Sequence, residues 1–268
     1  MFYRAKEHST QLFSVGDWMT LILRPMKLLI IFMFTVSCAF ADGFVYAKGR
    51  FLRFRYPGST ETKAFDINDR DEIVGWHRDS SGMIHGFVKA GNTFRSIDHP
   101  NASGWGTVIT GLNNRGTLVG SYGDGYTVRG FVCNGGKFTP IEYPGVDYTE
   151  PFGINNNGTV VGFYWDGLAP HGFVYERGRF KSLDVPGALS TQLYGINEKG
   201  QIVGAYLDGD GNSGAFIYEK GLFTQVSSWY GINNKGGIDD MNFEDHGKPQ
   251  GAFAHGINNK GHIVGEVE

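Results

Sequence analysis

The chain has 268 residues, 41% of them hydrophobic, and carries a formal net charge of −3 at pH 7. That balance, with no basic run in the repeat region, speaks against nucleic-acid binding through a phosphate-neutralising patch. Glycine accounts for 41 residues, roughly twice average usage, and its recurrence at fixed places marks turns rather than collagen or disorder.

The first element is a leader. Arg24 and Lys27 precede an apolar run from Leu28 to Val36, and Ala39-Phe40-Ala41 follows it. This pattern predicts a secretory signal peptide over residues 1–41, cut after Ala41. Met26 offers an alternative start. The run is too short for a good transmembrane helix, so no membrane span is expected. A lipoprotein reading at Cys38 meets Thr35 where an aliphatic residue is usual. Either reading places the protein outside the cytoplasm, secreted, extracellular or periplasmic. The remaining Cys133 has no internal disulfide partner, and no local His signature frames it as a nucleophile. It reads as a strand residue.

From residue 43 onward the chain repeats one unit. Gly153-Ile154-Asn155-Asn156-Asn157-Gly158-Thr159-Val160-Val161-Gly162 returns as Gly111 to Gly120, Gly195 to Gly204 and Gly256 to Gly265. A looser copy runs from Asp66 to Gly75 and a broken one from Gly231 to Gly236. Asn68, Asn113, Asn155 and Asn197 are 45, 42 and 42 residues apart. The unit from Thr149 to Pro186 predicts four strands. The first enters the turn Asn156-Asn157-Gly158, whose residues tolerate positive φ. The second is Thr159 to Tyr164, the third His171 to Tyr175, and the fourth Phe180 to Val185, with turns at Asp166-Gly167 and Glu176-Arg177-Gly178. About 42 residues in four short strands is the size of a propeller blade.

The third strand recurs at Phe44, Phe87, Phe131 and Phe216, and the fourth at Phe51, Phe94, Phe138 and Phe223. The first strand carries a hydroxyl six residues before its Asn, at Thr62, Thr107, Thr149, Thr191 and Ser227. The turn after the second strand carries Asp79, Asp124, Asp166 or Asp208. Residues 42–268 thus form one all-β propeller domain. It opens on a third strand and stops after a second, so the half-blades are predicted to pair and close the ring, hiding both edges. This counts five blades, with six as the alternative, because 227–253 is either a degenerate blade or an insertion. The combined motif, with its His-Gly-Phe third strand at His85 and His171, resembles the HAF-repeat family of probable extracellular proteins. That resemblance implies secretion and a propeller-like ring, and no defined activity. Asp66 for Gly, Asp239-Asp240 for Val-Gly, and Arg129 or Gly214 for His depart from the pattern.

The candidate sites come in two kinds. Tyr122, Tyr164 and Tyr206, with His77 in the sister copy, recur once per blade, and predict either equivalent sugar-stacking sites or packing between blades. Asp208, Asp210 and Asn212 alternate like a calcium loop, making calcium a candidate cofactor. Ser213 stands where that loop needs Gly, which favours an Asx-type turn instead. His85 and His171 show no zinc-like spacing and are expected to bond within their blades, to the recurring Thr or Asp. Asp98, Glu142 and Asp184 share a register and have the chemistry for glycoside hydrolysis, but repetition points to a structural duty. The unrepeated Asp239, Asp240, Glu244 and Asp245 read as a solvated acidic loop or a unique site. The leading expectation is a non-enzymatic module that binds a carbohydrate or an extracellular protein. The alternatives are a polysaccharide hydrolase or lyase, and a structural surface protein.

Overall fold

The computed structural model describes residues 41–226, 232, 233, 235, 252–260 and 262–267. Residues 1–40 of the expected leader, including Cys38, and Ser227 and the acids from Asp239 to Asp245 lie outside the described residues. Every regular element among the described residues is a strand, and the strands form five four-stranded antiparallel sheets.

Blade 1 is made from both ends of the chain. It contains β1 (Asp42–Ala47), β2 (Arg50–Phe54), β19 (Ala252–Ile257) and β20 (Ile263–Val267), in the order β19-β20-β1-β2. Blade 2 holds β3 (Glu61–Ile67), β4 (Glu72–Arg78), β5 (Ile84–Ala90) and β6 (Thr93–Ile97). Blade 3 holds β7 (Thr107–Leu112), β8 (Leu118–Gly123), β9 (Val128–Asn134) and β10 (Lys137–Ile141). Blade 4 holds β11 (Thr149–Ile154), β12 (Val160–Trp165), β13 (Pro170–Glu176) and β14 (Arg179–Ser182). Blade 5 holds β15 (Ala188–Ile196), β16 (Ile202–Asp208), β17 (Ser213–Glu219) and β18 (Leu222–Val226). The fold is a five-bladed β-propeller, as the repeat predicts. The half-blades meet as expected: Phe44 lies opposite Gly265, Val45 opposite Val264 and Tyr46 opposite Ile263.

The recurring residues each have a physical duty. The third-strand Phe44, Phe87, Phe131, Phe173 and Phe216 are at most 1% exposed. Each meets the fourth-strand Phe of its own blade, with ring centroids 5.1 to 6.0 Å apart. The buried Thr62, Thr107, Thr149 and Thr191 accept the backbone N–H of Tyr56, His99, Tyr143 and Val185 at 2.9 to 3.0 Å. They tie each inner strand to the linker arriving from the previous blade.

Every inner strand also carries a β-bulge three residues before its Asn, at Phe65, Thr110, Phe152, Tyr194 and His255. A bulge bends its strand and crowds the partner. A Cβ on the partner's Gly75, Gly120, Gly162 or Gly204 would lie 1.9 to 2.3 Å from an inner-strand carbonyl oxygen. The glycine ending each Ile-Val-Gly is therefore required by the bulge facing it.

Candidate functional site

The inner strands run from the face carrying the inter-blade linkers to the face carrying the Asn turns, and the recurring Asn builds the latter. Its Oδ1 accepts the N–H groups two and four residues on, as Asn113 does from Arg115 and Thr117 at 3.0 Å. Its Nδ2 reaches the next blade. Asn68 donates to the carbonyl of Asn113, Asn113 to Asn155, Asn155 to Asn197, Asn197 to Asn233, Asn233 to Asn258, and Asn258 back to Asn68, at 2.9 to 3.3 Å. The ring has six members although there are five complete blades. Asn233 supplies the sixth member, while Ala252 and Phe253 belong to β19 of blade 1. A second circle surrounds the first: the N–H of Asp69, Asn114, Asn156 and Asn259 reaches the side chain of Asn114, Asn156, Glu198 and Asp69 respectively, at 2.8 to 2.9 Å.

Inside these circles lies an axial cavity of about 70 Å³. A collar of Ile154, Ile196, Ile232, Ile257 and Asp66 separates it from a cavity of about 50 Å³ toward the linker face. The bulge residues Phe65, Thr110, Phe152, Tyr194 and His255 line this second cavity. Asp66 stands where all five sister repeats carry Gly. Its carboxylate accepts N–H groups from Ile67 at 2.8 Å and Leu112 at 3.0 Å. Burial nevertheless dominates those two donors and raises its pKa to about 7. Glu150, 3% exposed, is also raised to about 7 by burial, and Tyr148 donates to it at 2.5 Å.

A larger groove of about 360 Å³ opens between blades 4 and 5. Val174, Leu183, Ile202 and the Tyr218 ring form its apolar side, while Asn155, Asn157, Thr159, Lys181, Lys199 and the carboxylates of Glu176 and Glu198 supply polar groups. In blade 2, Arg70 occupies the register of Asn157, and its guanidinium lies 3.4 Å from the Cβ position of Gly116 in blade 3. The corresponding space at Gly200 is open. The register reads Arg70, Arg115, Asn157, Lys199, Lys235 and Lys260 along the sequence. Asn157 is the one short residue in this register, but the space at Gly158, beside the blade that carries Arg115, is open as well.

The sequence candidates occupy other places. His77, Tyr122 and Tyr164 are 6%, 7% and 9% exposed. Each stacks on a ring from the preceding linker, Tyr56, His99 or Tyr143, with centroids 3.6 to 3.7 Å apart. Burial pushes His77 down to about 4, with His85 adding to the effect. In blade 5, Val185 takes the place of the stacking ring beside Tyr206, whose own ring covers Gly214. His77, Tyr122 and Tyr164 thus each have one ring face covered by a linker ring, while Tyr206 packs beside Val185 and over Gly214.

Asp208 Oδ1 accepts the N–H of Asp210 at 3.0 Å and of Asn212 at 2.8 Å. These bonds, Asn212 first, hold its carboxyl below the usual range. Asp79 makes the same turn, and Asp166 a turn one residue shorter, accepting from Leu168 and Ala169. No group of three or more His, Cys, Asp or Glu among the described residues is arranged to hold a metal ion. The remaining candidates form repeated acid–base–acid clusters. His85 lies between Asp98 at 2.8 Å and Asp79 at 3.4 Å. His171 lies 3.3 Å from both Asp166 and Asp184. Arg129 plays the same part between Asp124 at 2.6 Å and Glu142 at 2.9 Å. Each cluster ties the third strand to a turn and to the linker, which accounts for the repetition.

No family model matches this chain, and no curated protein matches it in sequence. Among solved structures, it is similar to TolB from Acinetobacter baumannii, with a TM-score of 0.54 and 11% identity over 90% of this chain and 67% of that one. The β-propeller domain of the Trilobed protease from Pyrococcus furiosus matches with a TM-score of 0.44 and 10% identity, over 67% of this chain. The match spans 57% of that chain. A mutant of the Aleuria aurantia lectin in complex with alpha-methyl-L-fucoside matches with a TM-score of 0.44 and 12% identity, over 69% of each chain. At such identities the likeness to TolB bears on the fold alone.

Proposed function

We propose that the protein is a secreted, non-enzymatic binding module that holds a carbohydrate in the groove between blades 4 and 5. The groove carries the reading. Its volume of about 360 Å³ falls within the range of small-ligand sites, about 300–1,000 Å³. It pairs an apolar wall and an aromatic ring with amide, hydroxyl and ammonium groups, the combination that suits a sugar's two kinds of surface. The leader from Arg24 to Ala41 and the resemblance to HAF repeats support secretion.

The test is a glycan array with the exported protein, whose N-terminus this reading places at Asp42, beside Asn157→Arg. The variant puts the long residue found in the sister blades among the side chains that line the groove. Selective hits lost at least tenfold in Asn157→Arg, with unchanged melting, are expected. Hits retained by the variant would contradict the groove. Cleavage of the hits would replace binding with hydrolysis or lysis, and no hits would point to a protein ligand or a structural role.

A further inference from the structure

We propose that Asp69 and Asp71 of blade 2, together with the Glu266–Lys63 pair, form an acid-releasable latch that holds the C-terminal strands in the ring. Blade 2 meets the one blade assembled from both chain ends, and its hairpin departs from the repeat there. Position 69 is Asn in four of the sister repeats and Glu in the fifth. Position 71 is Gly in all five: Gly116, Gly158, Gly200, Gly236 and Gly261.

The second departure is unfavourable locally. Asp71 has φ of 61°, beside 80°, 84° and 76° at Gly116, Gly158 and Gly200, a region where a Cβ is strained. What the strained residue makes is a set of contacts to blade 1. Asp71 receives His262 Nδ1 at 2.8 Å, Lys260 Nζ at 2.8 Å and Asn258 Nδ2 at 2.9 Å. Asp69 accepts the Asn259 N–H at 2.9 Å and its Nδ2 at 2.7 Å. All four partners lie in the turn between β19 and β20. At the far end of β20, Glu266 pairs with Lys63 of β3 at 2.8 Å. The strand is thus gripped at both ends by the same neighbouring blade.

Charged groups surround each of these acids. Asp71 faces Lys260 and His262 from blade 1, with the Arg70–Glu72 pair on its own hairpin at 2.7 Å. Asp69 faces Asn114 from blade 3 at 2.8 Å, and the charge of Lys260. Glu266 faces Lys63 and, at 3.7 Å, His255, while Lys63 also approaches Glu61, which Arg78 binds at 3.1 Å. For Asp69 and Asp71, burial raises the pKa, but their summed hydrogen bonds and cationic neighbours outweigh it and leave both carboxyls below the usual range. The same balance brings Glu266 to about 2. For acids held lower in the folded state, the stabilisation is full above the unfolded pKa of about 4 and is lost as pH falls through the folded values. Acid therefore loosens β19 and β20 through these contacts.

The test compares the wild type with Asp71→Gly, Asp71→Asn and Glu266→Gln by melting at pH 7 and pH 3, and by limited proteolysis at pH 7. As an ordinary turn residue, Asp71 replaced by Gly relieves strain and raises Tm. As a latch, Asp71→Gly lowers Tm at pH 7 by about 3 °C or more, Asp71→Asn and Glu266→Gln lower it too, and the differences shrink at pH 3. Peptides from β19 and β20 should be released several-fold faster in Asp71→Gly, with those from blades 3 and 4 unchanged. A higher Tm for Asp71→Gly, an equal loss at both pH values, or uniform proteolysis across blades would overturn the latch.

Discussion

Asp66 is the one carboxylate on the axial collar, and its energetics have the opposite sign to those of the latch acids. Burial raises its folded pKa from 3.8 to about 7. The folded state therefore binds the extra proton between those values, and stability falls as pH rises through this window. Each tenfold change in proton affinity is worth about 1.36 kcal/mol, so the penalty above pH 7 is on the order of 4 kcal/mol. Asp66→Asn keeps the shape without the charge. Relative to the wild type, it should raise Tm at pH 8 by more than at pH 5. An equal difference at both pH values would show that the carboxyl is not held neutral by burial. Residue chemistry alone separates Asp66 from Asp69, three positions away: one meets an apolar collar, the other amides and an ammonium.

The element that defines this fold is a bulged inner strand facing a second strand with Gly in its interior. The sequence makes the hairpins legible because their determinants are local: Asn157 and Gly158 for a turn, Arg177-Gly178 with φ of 51° and 80° for the tight hairpin. The bulge is not legible. An extra residue present in every copy leaves the repeat period unchanged, so Phe65 or Phe152 looks like an ordinary strand position. The same limit applies to the recurring tyrosines. Whether Tyr164 is a sugar platform or packing depends on Tyr143, which arrives from another blade and stacks on it at 3.6 Å. The groove at Asn157 is lined from two blades at once, which likeness between single repeats does not record. At this scale the firm expectation is Gly162→Ala. Its Cβ would lie 2.2 Å from the Glu150 carbonyl oxygen and 2.8 Å from the Pro151 Cα, both backbone atoms that do not swing away. Overpacking of this kind costs about 1–3 kcal/mol, so a Tm fall of several degrees is expected. An unchanged Tm would mean that the bulge relaxes freely.

At the scale of the whole molecule, the ring is held by a six-membered circle of Asn amides and closed by pairing the two chain ends. Ile263, Val264 and Val267 of β20 are each at most 1% exposed. Burying such side chains contributes about 1.5–3 kcal/mol apiece, so three approach the net stability of an ordinary domain, about 5–15 kcal/mol. Against this, closing a loop more than two hundred residues long adds only about 0.6 kcal/mol per doubling of length. The half-repeats at the two ends announce this closure in the sequence. The sixth Asn, by contrast, becomes meaningful only once Asn197, Asn233 and Asn258 are seen in one circle. The central claim is tested most directly by thermal melting of the protein lacking residues 263–268. The account predicts a single transition at a much lower temperature, or no folded state, because the whole ring loses its closure. A truncated protein that keeps the wild-type Tm and merely frays at its end would contradict it.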